Sequence, residues 1–270
     1  MDESFLVTAL TKGACTEMGV IPRASNDTRL MVVEYEGRVL KAVYKPISGE
    51  RPLHDFPSGT LALRETAAHR LSAHLGLDVI PPTVLREDLP AGTGSLQAYV
   101  EDAGGADPVA LSAVDAIPDD YAPMFALRTE DGRDLVLSHT TSAPLRALSF
   151  FDLLANNADR KAGHVITGAC LPSLVDTDIA TRGIDNGLTF HPEEKLRTVL
   201  WGFSHSSFQA EELDALEEVA EMSAGLRGVL DDCLSATEIT ALSARAEALA
   251  EDGFFPEPPE DRTAIPWPPI

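Results

Sequence analysis

Residues 149–168, SFFDLLANNADRKAGHVITG, set a strongly apolar segment against a polar turn, and the rest of the chain has to be arranged around that junction. Phe150, Phe151, Leu153 and Leu154 predict a helix, which the run from Asn156 to Asp159 is too hydrophilic to continue. His164 follows Asp159 by five residues, and the apolar pair Val165-Ile166 comes next. A second acidic turn, residues 182–191, places Asp185 directly before Asn186-Gly187, a strong tight-turn signal. Two carboxylates are therefore expected at strand ends. Phosphoryl transfer asks for such a pair, one to orient the attacking hydroxyl and one to hold Mg²⁺ against nucleotide phosphates.

Strands are expected upstream. Residues 30–46 alternate and are rich in β-branched and aromatic types, with Glu36-Gly37 at the turn of a hairpin. Lys45 closes the second strand, where a lysine ordinarily marks a solvated strand end. A helix is expected over residues 61–75, with Leu63, Ala67, Leu71 and Leu75 on one face and Gly76 as its stop. Glu65 in its first turns fits a carboxylate near a helix N-terminus. Together, Lys45 and Glu65 also fit the ion pair that positions a lysine on nucleotide phosphates. The turn 23–28 lies where a phosphate-covering loop would sit, and Ser25 is its candidate hydroxyl, although the turn has no glycine. The short apolar segment before that turn, from Met18, and residues 81–85 and 95–100 join the hairpin, giving a five-stranded lobe with one helix.

Residues 101–120, rich in Gly, Pro, Asp and Ala, are expected to connect the lobes, which divides the chain into a nucleotide-binding lobe over 1–102 and a catalytic lobe over 103–270. Amphipathic helices are expected over 210–226 and 236–250. The tail after them is too proline-rich for a helix; it reads as a polyproline ligand or as a strap with Trp267 packed on the body.

Composition narrows the functional classes. A chain of 270 residues that is 44% hydrophobic can bury a full core. Its apolar runs are too short to span a bilayer, and the acidic start MDESFLV is unlike a secretory signal, so the cytoplasm is the expected location. Cys15, Cys170 and Cys233 lie far apart, as reduced packing residues do. The net charge of −22 disfavours nucleic acid and stable association with an anionic membrane. It is unevenly spread: residues 1–75 carry nine Lys/Arg against nine Asp/Glu, whereas residues 205–270 carry three against fifteen.

The series Tyr44-Lys45-Pro46, Arg64-Glu65, Asn157-Ala158-Asp159-Arg160 and Ile184-Asp185-Asn186-Gly187-Leu188 resembles the phosphatidylinositol 3- and 4-kinase-like superfamily, type II phosphatidylinositol 4-kinases in particular. Those enzymes carry similar lysine-proline, asparagine-threonine-aspartate-arginine and aspartate-asparagine-glycine-leucine motifs in the same order. The stretch GERPLHDFPSGT, residues 49–60, and the ending Ile265-Pro266-Trp267-Pro268 are similar to an actinobacterial group of that superfamily with unassigned substrate. The resemblance implies an α+β, two-lobed, protein-kinase-like fold: a small antiparallel sheet with one helix, then a mainly helical lobe.

It also implies ATP and Mg²⁺ as cofactors. Lys45 would contact phosphate with Glu65 as its partner, Asp159 would be the catalytic aspartate, and Asp185 would bind metal. Arg160 would stand beside the catalytic aspartate or brace its loop, and Gln97, Tyr99 and Val100 would edge the adenine pocket. His164 departs from the pattern, because kinases place a metal-binding asparagine five residues after the aspartate; a nitrogen ligand suits Mg²⁺ poorly. Asp176 and Asp178 stand as alternative metal carboxylates.

Three functions remain open. The first is an ATP-dependent phosphotransferase whose unidentified acceptor is a hydroxyl of a protein or small molecule in preference to a lipid, since basic or amphipathic membrane-binding stretches are lacking. A degenerate nucleotide-binding module is the second, and an interaction scaffold that keeps only the fold is the third. Transfer of a nucleotidyl group in place of phosphate also stays open.

Overall fold

The alternation in residues 30–46 becomes the centre of a sheet. In the computed structural model, which describes residues 3–22, 26–170 and 179–270, the chain opens with α1 (Glu3–Lys12) and β1 (Ala14–Val20). A hairpin of β2 (Arg29–Tyr35) and β3 (Arg38–Pro46) comes next, turning at Glu36 (φ 48°) and Gly37 (φ 72°). After α2 (Leu61–His74) come β4 (Thr83–Arg86) and β5 (Gly94–Ala98), completing an antiparallel five-stranded sheet in the order β1-β2-β3-β5-β4. Leu40, Ala42 and Tyr44 point into the core with Met31, Val33 and Leu96, which leaves Val43 and Lys45 on the opposite face. Gly94 pairs with Pro46 at a close approach: a Cβ there would lie 2.4 Å from the Lys45 carbonyl oxygen.

This lobe has one helix more than expected. Leu6, Ala9 and Leu10 of α1 are buried against the sheet, and so short an apolar run could equally have been a strand on periodicity alone. Helix α2 starts at Leu61 as anticipated and ends at His74, one residue before the expected end, with Leu75 as its cap and Gly76 (φ 64°) as its stop. Its Ala67, Ala68 and Leu71 belong to the second core, so α2 ties the two lobes together. Buried Arg64 reinforces the tie by donating to the Thr189 carbonyl and the Glu238 carboxylate.

The second lobe holds α3 (Ala143–Ala155), α4 (Ala210–Glu221), α5 (Ala224–Leu230) and α6 (Ala236–Asp252). Phe150 and Phe151 of α3 are wholly buried among Leu216, Leu226 and Leu242 of this core, where truncating either ring costs about 3–5 kcal/mol. The helix expected over 210–226 is two helices. Met222 adopts the left-handed conformation (φ 45°), and the Ser223 hydroxyl accepts from the Leu226 N–H to start α5.

Residues 101–140 are more ordered than a connecting segment. The strand β6 (Glu101–Asp102) joins β10 (Val165–Ala169) and β11 (Ala180–Gly183) in a sheet of order β11-β10-β6. A further antiparallel sheet, β7-β9-β8, combines β7 (Val109–Ala113), β8 (Tyr121–Arg128) and β9 (Asp134–Thr140), with Leu137 fully buried. Strand β7 is stabilised by a partner some 25 residues on, a non-local pairing that composition does not register. The tail does strap the body, through Ala264 and Ile265 packed on the core and a 2.8 Å bond from the Ala162 N–H to the Pro269 carbonyl. Trp267 plays no part in that packing, being 77% exposed; the buried tryptophan is Trp201, which donates to the Ala264 carbonyl. Among the described residues no helix is long and apolar enough to cross a membrane.

Candidate active site

Lys45 ends β3 facing across to the second lobe, and three segments converge on it. Its Nζ lies 2.5 Å from Glu65 Oε1 on α2 and 2.7 Å from Asp185 Oδ1 just after β11. Glu65 is 2% exposed, and its second oxygen has no hydrogen-bond partner among the described residues. Burial opposes the charge on Lys45, yet Asp185 and Glu65 together hold the ammonium above its ordinary pKa. Lys45 in turn, working against burial and helped by His164, holds the Asp185 carboxyl well below the usual carboxylate range. Both groups are ionised at neutral pH.

The loop carrying Asp159 is fixed from behind. Helix α3 ends at Asn156 in a left-handed turn (φ 52°), and the Asn156 and Asn157 side chains lock the loop beyond it. Asn156 donates to the His191 and Glu193 carbonyls. Asn157 donates to Asp152 and accepts from the Asp159 N–H at 3.0 Å. Arg160, buried completely, lies on the Asp152 carboxylate and reaches Asn186 Oδ1 (2.6 Å) and the Ile184 carbonyl (2.6 Å). One guanidinium thereby ties the Asp159 loop to the Asp185 turn. Arg160 thus acts on the loops, its donors directed to Asp152, to the Asn186 side chain and to the Ile184 carbonyl.

Asp159 itself is partly exposed, its Oδ2 3.0 Å from Lys161 Nζ. His164 stands between the two carboxylates. Its Nδ1 is 3.0 Å from the Asp159 carbonyl oxygen, an acceptor only, so Nδ1 carries the proton. Nε2 lies 3.4 Å from Asp185 Oδ2. Burial lowers the pKa of this ring, against the pull of Asp185.

Two cavities meet at this cluster. The larger, about 470 Å³, has an apolar roof at Val43 and an apolar floor at Ile166 and Ile184, with the segment Gln97 to Val100 along its edge. Lys45, Lys161, His164 and Asp185 form its polar end, and Ile270 from the tail lines it too. The smaller cavity, about 250 Å³, lies on the other side of Lys45 and Asp185. Glu50, Arg51 and Leu53 of the loop after β3 wall it, Leu61 and Ala62 of α2 back it, and Asp159 lines it. A cavity with apolar walls at Val43, Ile166 and Ile184 that leads to paired charges could take a nucleotide base with phosphates at the charged end. Among the described residues no group of three or more His, Cys, Asp or Glu side chains could hold a metal ion.

Of the residues picked out from sequence, the structure brings Lys45, Glu65, Asp159, His164 and Asp185 together and sets Tyr99 and Val100 on the slot. Gln97 also borders it, with its side-chain amide donating to Thr83 Oγ1 at 2.9 Å, which leaves the slot mainly its backbone. Ser25, Asp176 and Asp178 lie outside the described residues. Lys161 and Ile270 line the cavities without any local sequence signal that marks them. Asp152 was equally unforeseen, though a carboxylate inside the run FFDLLA is a signal that a buried cation must face it. The GERPLHDFPSGT segment is anchored by Phe56, whose buried ring lies under the Arg64 guanidinium (5.0 Å) and edge-on to His191 (5.1 Å).

No protein-family model matches the sequence. Among solved structures the chain is similar to the Helicobacter pylori proinflammatory kinase CtkA, with a TM-score of 0.45 and 11% identity over 91% of this chain and 94% of that one. Among curated proteins it is 40% identical over 269 residues to Protein Rv2133c of Mycobacterium tuberculosis (strain ATCC 25618 / H37Rv), covering 96% of this chain and 93% of that protein. At that identity over nearly the full length of both, this chain belongs to the family of Protein Rv2133c.

Proposed function

We propose that the chain is an ATP- and Mg²⁺-dependent phosphotransferase of the phosphatidylinositol 3- and 4-kinase-like superfamily. The observation that carries this reading is the convergence of Lys45, Glu65 and Asp185 on one point, between an apolar slot and a second cavity lined by Asp159. In this reading the base of ATP occupies the slot, and Lys45, held by Glu65, meets the phosphates. Asp185, with an oxygen facing the cleft, is the carboxylate that would hold Mg²⁺, whose charge offsets that of the phosphates. Asp159 accepts the hydrogen bond of an acceptor hydroxyl entering from the smaller cavity and orients it for in-line attack. Arg160 keeps the two loops in register without touching substrate.

The acceptor is a protein side chain or a soluble metabolite. A net charge of −22 repels an anionic bilayer, and a cavity of about 250 Å³ bounded by Leu53, Leu61 and Leu188 admits a side chain or a small molecule.

The experiment is incubation of the whole chain with Mg²⁺ and ATP labelled at either the α- or the γ-phosphate, alongside thermal shift. Label transferred from the γ position supports the proposal. Transfer of α label would replace it with nucleotidyl transfer, thermal shift without transfer would favour the degenerate nucleotide-binding module, and absence of any shift would favour the scaffold.

A further inference from the structure

We infer that Ile270 is a nucleoside-contacting residue: the tail from Ala264 onward carries its side chain to the larger cavity, where it packs on the nucleoside part of a bound nucleotide. The identity of that ligand rests on the phosphotransferase reading; the placement of Ile270 rests on the fold.

The tail is held by its backbone and its prolines. The Ala264 carbonyl accepts from the Thr198 N–H at 3.1 Å and from the Trp201 indole N–H at 2.9 Å. Five residues on, the Pro269 carbonyl accepts from the Ala162 N–H at 2.8 Å. Pro266 and Pro269 are buried, whereas Trp267 and Pro268 face solvent. Both anchoring partners belong to the site. Thr198 forms a bridge with Arg160, and Ala162 opens the short turn Ala162–His164 that leads into β10, whose Ile166 lines the slot. One residue past the second anchor, Ile270 is delivered to the cavity.

Its side chain is not what holds the tail in place. Ile270 is 62% exposed, although it lines the cavity with Val43, Ile166 and Ile184. An aliphatic group has no donor to offer phosphate, and what it gains from a ligand is the removal of apolar surface from water. The tether at Ala162 lies along the chain between Lys161, at the charged end of the cavity, and Ile166, on its apolar floor. Ile270 therefore meets a nucleotide between its phosphates and its base. Prolines at three of the four preceding positions restrict the backbone, so little freedom is lost when the side chain is covered.

The probes are adenosine, ATP and inorganic tripolyphosphate, titrated by calorimetry into the full chain and into Ile270→Ala, Ile270→Ser and Trp267→Ala. Ile270→Ala should bind adenosine and ATP about three- to tenfold more weakly, as expected when three side-chain carbons that are largely bare in the free protein no longer become buried. Ile270→Ser should lose at least as much. Tripolyphosphate affinity should be unchanged, and so should the melting temperature of the nucleotide-free protein, since the substituted side chain is exposed. Trp267→Ala alters the same tail outside the cavity lining and should match wild type. With isoleucine methyl groups labelled, the resonance missing from Ile270→Ala should show a nuclear Overhauser effect to adenosine protons.

Equal ATP and adenosine affinities in wild type and both Ile270 variants would overturn the inference and leave the phosphotransferase reading standing, because ATP is still bound. Loss of tripolyphosphate affinity in step with adenosine, or an equal loss in Trp267→Ala, would also overturn it, since either traces the effect to displacement of the tail. A wild-type chain that binds neither adenosine nor ATP would remove the reading and the inference together.

Discussion

The Arg160 guanidinium lies on the Asp152 carboxylate, with Nε 2.9 Å from Oδ2 and Nη2 2.9 Å from Oδ1, and neither side chain is exposed to solvent. Asp152 comes from the apolar helix α3, whereas Arg160 sits in the loop beside the proposed catalytic aspartate, so the pair couples the core to the site. Removing one partner leaves a buried charge uncompensated. Arg160→Met or Asp152→Asn should therefore lower unfolding free energy by about 3–5 kcal/mol in urea titration. An Arg160→Met protein of wild-type stability that has lost turnover would assign Arg160 to the chemistry instead.

Lys45→Ala should weaken ATP binding by roughly 10- to 100-fold in calorimetry, as expected for loss of a charge-assisted bond worth about 1.5–3 kcal/mol. It should also destabilise the apo protein, because Glu65 is 2% exposed and would lose its cation. Equal ATP affinities in the two proteins would show that the phosphates lie elsewhere.

Much of this site could be read from sequence where local pattern and side-chain chemistry coincide. Lys45 closes an alternating strand, Glu65 falls in the first turns of a helix bounded by Gly76, and Asp185 precedes Asn-Gly; each is fixed by its near neighbours in the chain. The features that stayed hidden depend on distant partners. Strand β7 exists by pairing with β9, α1 by packing under the sheet, and the break between α4 and α5 by a left-handed Met222. The exposure of Trp267 was hidden for the same reason, since the tail's grip comes from backbone bonds at Ala264 and Pro269. The position of Arg160 likewise depends on Asp152, which reaches it from α3.

His139 offers a pH test of the β7-β9-β8 sheet. The ring is fully buried, its Nδ1 donates to the Thr140 carbonyl at 2.7 Å, and its Nε2 accepts from the Gly202 N–H at 2.9 Å. Burial depresses its pKa, the Thr140 carbonyl opposing in part. Below about pH 6.5 the unfolded chain therefore binds a proton that the native ring refuses, and stability falls as pH drops until the native pKa is reached. One such group contributes a slope of up to about 1.4 kcal/mol per pH unit. His139→Gln keeps an acceptor for Gly202, and its melting temperature should fall less steeply than that of wild type between pH 7 and 5. Parallel curves would mean that the native ring takes up its proton over the same pH range as the unfolded chain, so that burial does not depress its pKa.

Asp185→Asn isolates a charge with little change of shape, since asparagine tolerates the left-handed backbone found there and the carboxylate is half exposed. ATP binding should lose its dependence on Mg²⁺ while the fold persists, because one anionic ligand has gone and Lys45 keeps Glu65. Calorimetric titration of ATP over a Mg²⁺ series measures this. An unchanged dependence would move the metal to another carboxylate.

Asp159→Ala separates binding from chemistry. Asp159 lines the smaller cavity and not the slot, and among the described residues it pairs with Lys161, so its loss leaves the slot and the Lys45 cluster intact. Since the carboxylate would act on the acceptor hydroxyl as its proton is transferred, the variant should bind ATP as wild type does and turn over about 10²- to 10⁴-fold more slowly. Lys161, released from Asp159, stays beside the phosphate end of the slot, so nucleotide affinity should hold or rise slightly. This split between binding and rate distinguishes an orienting base from a structural residue, whose loss would lower both together. Turnover is followed as transfer from γ-labelled ATP, or as ATP hydrolysis while the acceptor is unknown, and affinity by calorimetry on the same preparation. A variant as active as wild type would take Asp159 out of the mechanism and, with it, the orientation of the acceptor in the smaller cavity.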